Sequence, residues 1–170
     1  GHGDAPDIIA KLPKSVYLMS VSEWHLPIER GGVKSTVGEY SISSVGPGPR
    51  SLAHWKVAMD LGLKTGTEIQ FNNTCEIASI PYLPVLDLVA EHCNNLESQA
   101  NLDALFIGWT MGGHPSPNLL IPQRFGKKPT PSIDTVLDEI AKERFGEAGA
   151  PHARKAWKLM SDAYREYPFH

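Results

Sequence analysis

Cysteine is scarce in this sequence, which has only Cys75 and Cys93 among 170 residues. Neither belongs to a CxxC pair, and two cysteines are too few for a disulfide framework or a thiolate zinc site. The histidines are scattered, with no HExxH motif and no pair at i and i+4, so metal catalysis is not indicated. The sequence therefore predicts neither a metal site nor any other cofactor.

The sequence also lacks a large excess of one charge, because 16 Lys and Arg residues stand against 19 Asp and Glu. With a net charge of −3 and no basic run containing aromatics, we expect no nucleic-acid partner. No apolar run approaches the ~20 residues of a membrane span, so we expect no membrane partner. No signal peptide is visible, which favours the cytoplasm. The opening Gly-His-Gly is typical of a cleaved purification tag.

What the sequence does contain is an alternation of strand-like and helix-like segments. The apolar segments predicted as strands are 15–22, 64–72 and 102–109. The predicted helices are 4–12, 50–61, one beginning near 84, and a C-terminal hairpin of 131–146 and 151–168. This order predicts an α/β fold with a parallel sheet and right-handed crossovers. Residues 4–170 fit a single domain, with 131–170 as its C-terminal helices.

Signals at the helix ends and along the helix faces refine this prediction. Thr130 is the expected N-cap of the first C-terminal helix, while Gly62 and Gly146 are expected to end helices. The helix that begins near 84 has an apolar stripe at helical spacing, namely Val85, Leu88, Val89, His92, Cys93 and Leu96. The last helix has a similar stripe, namely Ala153, Ala156, Trp157, Met160, Tyr164 and Tyr167. We expect both stripes to face the core, with His92 as a core histidine.

The loops that follow the three strands are long and polar. In parallel α/β folds the ligand site lies at the carboxyl ends of the strands, which is where these loops gather. The longest connection spans 23–49, and the alternation of Tyr40, Ile42 and Val45 predicts a short strand inside it. On the second strand, one face carries Glu68, Gln70 and Asn72, which is unusually polar and is typical of a cleft wall.

Four segments together resemble a known family. They are SVYLMSVSEW, FNNTCE…PYLPVLDLVAEH, GWTMGGHPSPN and the terminal RFGEAGAPHARKAWKLMSDAYREYPF. The sequence from about Pro13 onward resembles the C-terminal part of bacterial glycoside-hydrolase-like (β/α)8-barrel proteins. Because three strands do not close a barrel, the resemblance implies a partial (half) TIM-barrel-like fold. It also implies that a carbohydrate is bound or hydrolysed at the strand ends.

Glycoside hydrolysis needs two carboxyl groups across the scissile bond. Glu23 follows the first strand and Glu76 follows the second, so we predict these two residues to be catalytic. Glu39 and Glu68 are secondary candidates. The alternatives are that Glu23 caps a turn or pairs with Arg30, and that Glu76 is a solvated loop carboxylate.

Sugar binding also needs an aromatic platform and hydrogen-bonding groups. Trp24 and Trp109, each at the end of a strand, are candidates for stacking on a sugar ring. Asn72 and Asn73 are candidates for binding hydroxyl groups, and His114 for a hydrogen bond or proton transfer. Alternatively, the asparagines make turns, Trp109 belongs to the core, and His114 has no special role.

Three functions follow from these patterns. The first is a glycoside hydrolase-type enzyme with a carbohydrate ligand. The second is a non-catalytic partial barrel that is stable as a homo-oligomer, because exposed strand edges invite pairing. The third is an open α/β sheet that binds another small molecule at the same strand ends.

Overall fold

The computed structural model describes residues 5–77, 79–108 and 114–168, apart from the side chain of Cys75. The chain is mixed α/β, as predicted, with a three-stranded parallel sheet, a separate antiparallel hairpin and surrounding helices. In chain order the elements are α1 (Pro6–Ile9), β1 (Tyr17–Val21), β2 (Pro27–Arg30), β3 (Val33–Thr36), α2 (Pro49–Asp60), β4 (Lys64–Ile69), α3 (Leu86–Gln99), β5 (Ala104–Ile107), α4 (Leu120–Phe125) and α5 (Ile133–Arg165). None of the helices in the described ranges is both long and apolar enough to cross a membrane.

The parallel sheet has the strand order β1-β4-β5, so each strand is added on the same side of the one before it. Tyr17 is aligned with Lys64, and Gly66 with Ala104. Right-handed crossovers through α2 and α3 place both helices on one face of such a sheet. Among the described residues no helix covers the opposite face, where Tyr17, Met19 and Phe106 are exposed, and the described strands do not close into a barrel.

The main core lies on the helix-covered face. Trp55 of α2 is buried against the sheet, and its Nε1 donates a hydrogen bond to the Gly66 carbonyl at 2.9 Å. All six residues of the stripe predicted for α3 are buried, including His92. They pack mainly against α5, whose Val136, Leu137 and Ile140 are fully buried. Burial of these apolar side chains is the main force that holds the helices to the sheet.

The helix ends follow the predicted signals in part. Gly62 ends α2 with a left-handed φ of 71°, a conformation that costs glycine little, so this prediction is confirmed. The N-cap of α5 is Ser132 rather than Thr130, because the Ser132 side chain accepts a hydrogen bond from the Thr135 amide. The helix expected near 84 begins at Leu86. Asp4, predicted to start the first helix, lies outside the described residues.

The 23–49 connection differs from the prediction. Residues 40–45 form no strand. Instead β2 and β3 form a hairpin whose turn is Gly31-Gly32, with φ of 54° and 81°. Two successive positive φ values suit the tight turns that join twisted antiparallel strands, and glycine adopts them without steric cost. α4 was also not predicted, because its six residues are too few to show a helical period.

The C-terminal helices fold back on each other at Gly146, whose φ of 68° and ψ of 174° interrupt α5. Arg154, after this break, pairs with Asp134 at 2.8 Å and with Asp138 at 2.7 Å, both before it. A straight helix would hold residues 20 positions apart at about 30 Å. Arg154 also lies 3.8 Å from the mostly buried Asp87 of α3, so one guanidinium joins three helical segments.

The apolar stripe predicted for the last helix is wrong in part. The buried residues of the last helical segment are Ala150, Trp157, Ser161 and Tyr164, whereas Ala156 and Met160 are exposed. Ser161 is buried in the core, but a polar residue does not count toward an apolar stripe, so the sequence pattern did not indicate this position.

We expect Arg154→Met to lower the free energy of unfolding by about 2 kcal/mol, because Asp87 loses its nearby cation while remaining largely buried. Urea denaturation followed by circular dichroism measures this change. Arg144→Met, at an exposed position of the same helix, is the control and should change stability by less than about 0.5 kcal/mol. Equal effects of the two substitutions would contradict the bridging role of Arg154.

Candidate functional site

The two carboxyl groups predicted to be catalytic meet at one residue, Ser41. The Ser41 amide donates to Glu23 Oε1 at 2.8 Å, and the Ser41 hydroxyl donates to Glu76 Oε1 at 2.6 Å. Glu23 is 0% exposed and Glu76 is 7% exposed. The structure therefore brings the pair together, but both carboxyl groups are buried rather than exposed on an open surface, and their catalytic role stays a prediction.

Glu76 accepts hydrogen bonds from a set of donors that a solvated loop carboxylate would not have. They are the hydroxyls of Ser41, Ser43, Thr74 and Tyr164 and the amide of Ile42, at 2.6 to 3.4 Å. An ionised carboxylate only accepts hydrogen bonds, so this shell of donors suits the charged form of Glu76. Burial beside Glu76 raises the pKa of the Tyr164 phenol, which keeps that donor protonated.

Glu23 has a different environment. Burial raises the pKa of its carboxyl group from 4.5 to about 8, opposed by the Ser41 amide and reinforced by the charges of Glu76 and Glu68. Its Oε2 has no hydrogen-bond partner among the described residues. A carboxyl group with this pKa is mostly protonated at neutral pH, so Glu23 holds a proton there.

Two glycines allow the chain to pass close to the backbone at the end of β1. The Gly48 amide donates to the Ser22 carbonyl at 2.7 Å, and a Cβ on Gly48 would lie only 2.2 Å from the Trp24 carbonyl oxygen. A Cβ on Gly46 would lie 2.7 Å from His92 Nε2. The sequence signal for this passage is the Gly-Pro-Gly-Pro run at 46–49, in which glycine permits close backbone approach.

His92 lies next to Gly46 and is buried in the core, as predicted. Its Nε2 is 2.7 Å from Ser22 Oγ, and its ring packs edge-on against Phe71. Burial lowers the pKa of the His92 imidazole to about 3, so the ring is neutral at physiological pH.

The predicted asparagines bind their own chain. The Asn72 side chain donates to the His114 carbonyl at 2.8 Å and accepts from the Ser116 hydroxyl, while Asn73 donates to the Ile80 carbonyl at 2.6 Å. Both asparagines are buried; the Asn72 bonds connect the loops that follow β4 and β5, whereas the Asn73 bond lies within the loop that follows β4. These bonds agree with the alternative that the asparagines stabilise turns of their own chain. Sugar contact by Asn72 and Asn73 stays a prediction.

The remaining predicted residues are only partly covered by the structure. The exposed His114 ring stacks on Tyr82 with a centroid distance of 5.8 Å and an interplanar angle of 10°. Trp109 and the glycines at 112–113 lie outside the described residues. Trp24 is half-buried, with the Arg50 guanidinium 5.1 Å from its ring centroid. Of the two predicted aromatic platforms, Trp24 is therefore the one that lies among the described residues.

An open cleft of about 300 Å³ lies beside β1, and we call it the strand-end cleft. Its lining residues are Met19, Ser20, Val21, Trp24, Tyr40, His54 and Glu68. The Tyr40 hydroxyl donates to Glu68 Oε2 at 2.9 Å, and burial together with Glu68 raises the pKa of the Tyr40 phenol. The polar face of the second predicted strand had indicated Glu68, whereas Tyr40 and His54 were missed because no local pattern connects them to β1.

The strand-end cleft and the buried pair are electrostatically connected, since the Glu68 charge contributes to the raised pKa of Glu23. Within the described ranges, no group of three or more His, Cys, Asp or Glu side chains is arranged to hold a metal ion.

Comparisons with protein-family models, curated proteins and solved structures found no match for this chain. The candidate site is therefore defined by its own geometry alone.

We expect Glu23 to make the protein less stable as pH rises. Because its pKa is raised on folding, the native state holds a proton that the unfolded state loses first, and this stabilisation declines between about pH 4.5 and 8. Glu23→Gln cannot titrate, so its free energy of unfolding should decline less over this range, by on the order of 3 kcal/mol. Guanidinium denaturation at several pH values measures the difference.

Glu39→Gln is the matched control for this experiment, because Glu39 is exposed. The low pKa of His92 removes stability as pH falls below 6.5, but it does so equally in all three proteins. Parallel pH profiles for the wild type and Glu23→Gln would show that Glu23 is not protonated in the native state.

Proposed function

We propose that this chain binds a carbohydrate in the strand-end cleft. The observation that carries the proposal is the cleft wall, which combines the aromatic rings of Trp24 and Tyr40 with the carboxylate of Glu68 beside the end of β1. Aromatic faces pack against the apolar faces of sugar rings, and a carboxylate accepts hydrogen bonds from their hydroxyls. The location agrees with the general position of ligands in parallel α/β proteins.

The contacts within the cleft suit a neutral polyhydroxylated ligand. Tyr40 already donates to Glu68 and fixes the orientation of the carboxylate, which leaves acceptor capacity on its oxygens. The Arg50 guanidinium lies over the Trp24 ring and holds the indole in place. A rigid platform beside an oriented acceptor lowers the entropic cost of binding a flexible ligand.

A more specific proposal is that the bound carbohydrate is also hydrolysed. Glu23, protonated at neutral pH, would be the acid, and Glu76 would be the second carboxyl group, as glycoside hydrolysis requires. Both carboxyl groups are buried and hydrogen-bonded to residues 41–44, which we call the serine loop, so a substrate reaches them only when the chain around them moves. Binding at Glu68 does not need such a movement, and for this reason binding is the primary proposal.

We expect Trp24→Ala and Glu68→Gln each to weaken carbohydrate binding about tenfold, because each removes one contact worth roughly 1–2 kcal/mol. Binding of a panel of soluble oligosaccharides and 4-nitrophenyl glycosides to the full chain can be measured by saturation-transfer NMR and calorimetry. Glu29→Gln, at an exposed position on β2, is the control and should bind as the wild type does.

The proposal fails if no member of the panel binds at millimolar concentration, or if Trp24→Ala and Glu68→Gln bind like the control. Release of 4-nitrophenol tests hydrolysis in the same samples. Loss of turnover in Glu23→Gln with binding retained would assign chemistry to Glu23. Binding without turnover in the wild type would limit the function to recognition.

A second candidate, a non-catalytic partial barrel that is stable as a homo-oligomer, is favoured by the uncovered face of the sheet. Tyr17, Met19 and Phe106 point to this face and are 46%, 44% and 50% exposed. In (β/α) barrels all helices lie outside and the inner face is packed with side chains, so a half barrel would leave such a face open. A second copy that supplies further strands would cover it.

We expect Phe106→Arg to dissociate such an oligomer, because it places a charge in the covered face. Sedimentation velocity over a concentration series measures the mass. Lys34→Arg, which preserves charge on the exposed β3, is the control. A wild-type chain that stays monomeric at all concentrations, or a Phe106→Arg variant with unchanged mass, would argue against this candidate.

A further inference from the structure

The last helical segment carries an apolar stripe that its own chain does not cover. Leu159 and Met160 are 60% and 44% exposed, and Ala156 and Ala163 beside them are exposed as well. These four residues stand at i, i+3, i+4 and i+7 and therefore share one face of α5. The face buried in the core is a different one, formed by residues such as Trp157 and Tyr164. We call the exposed set the outer stripe.

The outer stripe is symmetric along the helix. Two large residues occupy its centre, and one alanine lies three residues before and three residues after them. If two copies of this helix pack antiparallel about a two-fold axis through the centre, Ala156 faces Ala163 of the second copy, and Leu159 faces Met160. Small residues at both ends let the helices approach closely, while the large pair fills the middle.

The charges beside the outer stripe follow the same symmetry. Lys155 precedes the centre, whereas Asp162 and Glu166 follow it on the same flank of the helix. A two-fold axis places Lys155 of one copy level with a point between Asp162 and Glu166 of the other, about 3 Å along the axis from each. At each end of the contact, the lysine of one copy therefore lies beside the two carboxylates of the other copy. Flanking charges pair in a similar way in coiled coils. In a parallel two-fold arrangement this charged flank of one helix would instead face the opposite flank of the other helix, so these charges would not meet.

From this symmetry of shape and charge we propose that the outer stripe is a self-association surface whose partner is the same helix of a second copy, packed antiparallel. The contact is isologous, so it closes at two chains. It lies on the C-terminal helices, separate from both the strand-end cleft and the uncovered sheet face. It therefore does not depend on the function proposed for either of them.

The full chain should show a concentration-dependent monomer–dimer equilibrium in sedimentation velocity. Leu159→Glu should make it monomeric at concentrations where the wild type is dimeric, because it buries a charge at the two-fold axis. Val33→Glu, an equally exposed apolar position at the β2–β3 turn, is the matched control and should leave the dimer intact. Circular dichroism checks that each variant folds.

A charge exchange tests the antiparallel arrangement. Lys155→Glu should raise the dissociation constant about tenfold and remove part of its salt dependence, because like charges then face each other. Adding Glu166→Lys to the same chain should restore association, since each new lysine faces the new glutamate of the other copy. A loss of packing within one chain would not be rescued in this way.

Three results would overturn the proposal. They are a wild-type chain that remains monomeric up to millimolar concentration, a Leu159→Glu variant with unchanged mass, and a double charge variant that associates no better than Lys155→Glu alone. Dissociation by Phe106→Arg with no effect of Leu159→Glu would place the contact on the sheet face instead.

Discussion

The carboxylate of Glu76 is the constraint on which the arrangement of the strand ends depends. It accepts hydrogen bonds from the serine loop, from Thr74 after β4 and from Tyr164 of α5. These segments are far apart in sequence, and Tyr167 adds a hydrogen bond to the Glu76 carbonyl at 3.0 Å. A buried charge is stable only with such a shell of donors, so the loop and the C-terminal helix are held where the carboxylate requires them.

This constraint also explains the contrast between Glu76 and Glu23. The donors of the serine loop are directed mainly at Glu76, and Glu23 receives the Ser41 amide but little else. One carboxyl group is therefore satisfied as an anion, whereas its neighbour is more stable with a proton. Unequal environments of this kind separate the acid and base roles of paired carboxyl groups in many enzymes. The same hydrogen bonds bury the pair away from solvent. The contacts that fix the positions of the two carboxyl groups therefore also keep a ligand from reaching them.

Much of the fold could be predicted because long periodic segments carry it. The stripe of α3, the three parallel strands and the glycine at position 62 follow from local patterns with a clear physical cause. The β2–β3 hairpin and α4 were missed because each is only a few residues long. The candidate site was harder to predict from the sequence. The polarity of Asn72 or Glu76 shows that the side chain needs hydrogen-bond partners, but it does not show whether a ligand or the chain itself supplies them. Tyr40 meets Glu68 across 28 residues, a contact that no local pattern reveals.

The one-directional order of the sheet has a consequence for how such a chain can change over evolutionary time. Because β1, β4 and β5 are added on one side with their helices on one face, another strand–helix unit at β5 would continue the same geometry without reversing handedness. Gene duplication supplies units of this kind, and each new unit would add both a loop at the carboxyl edge of the strands and a helix to cover the sheet. The architecture therefore permits growth by repetition, because added units extend the edge of the sheet while the existing core is preserved.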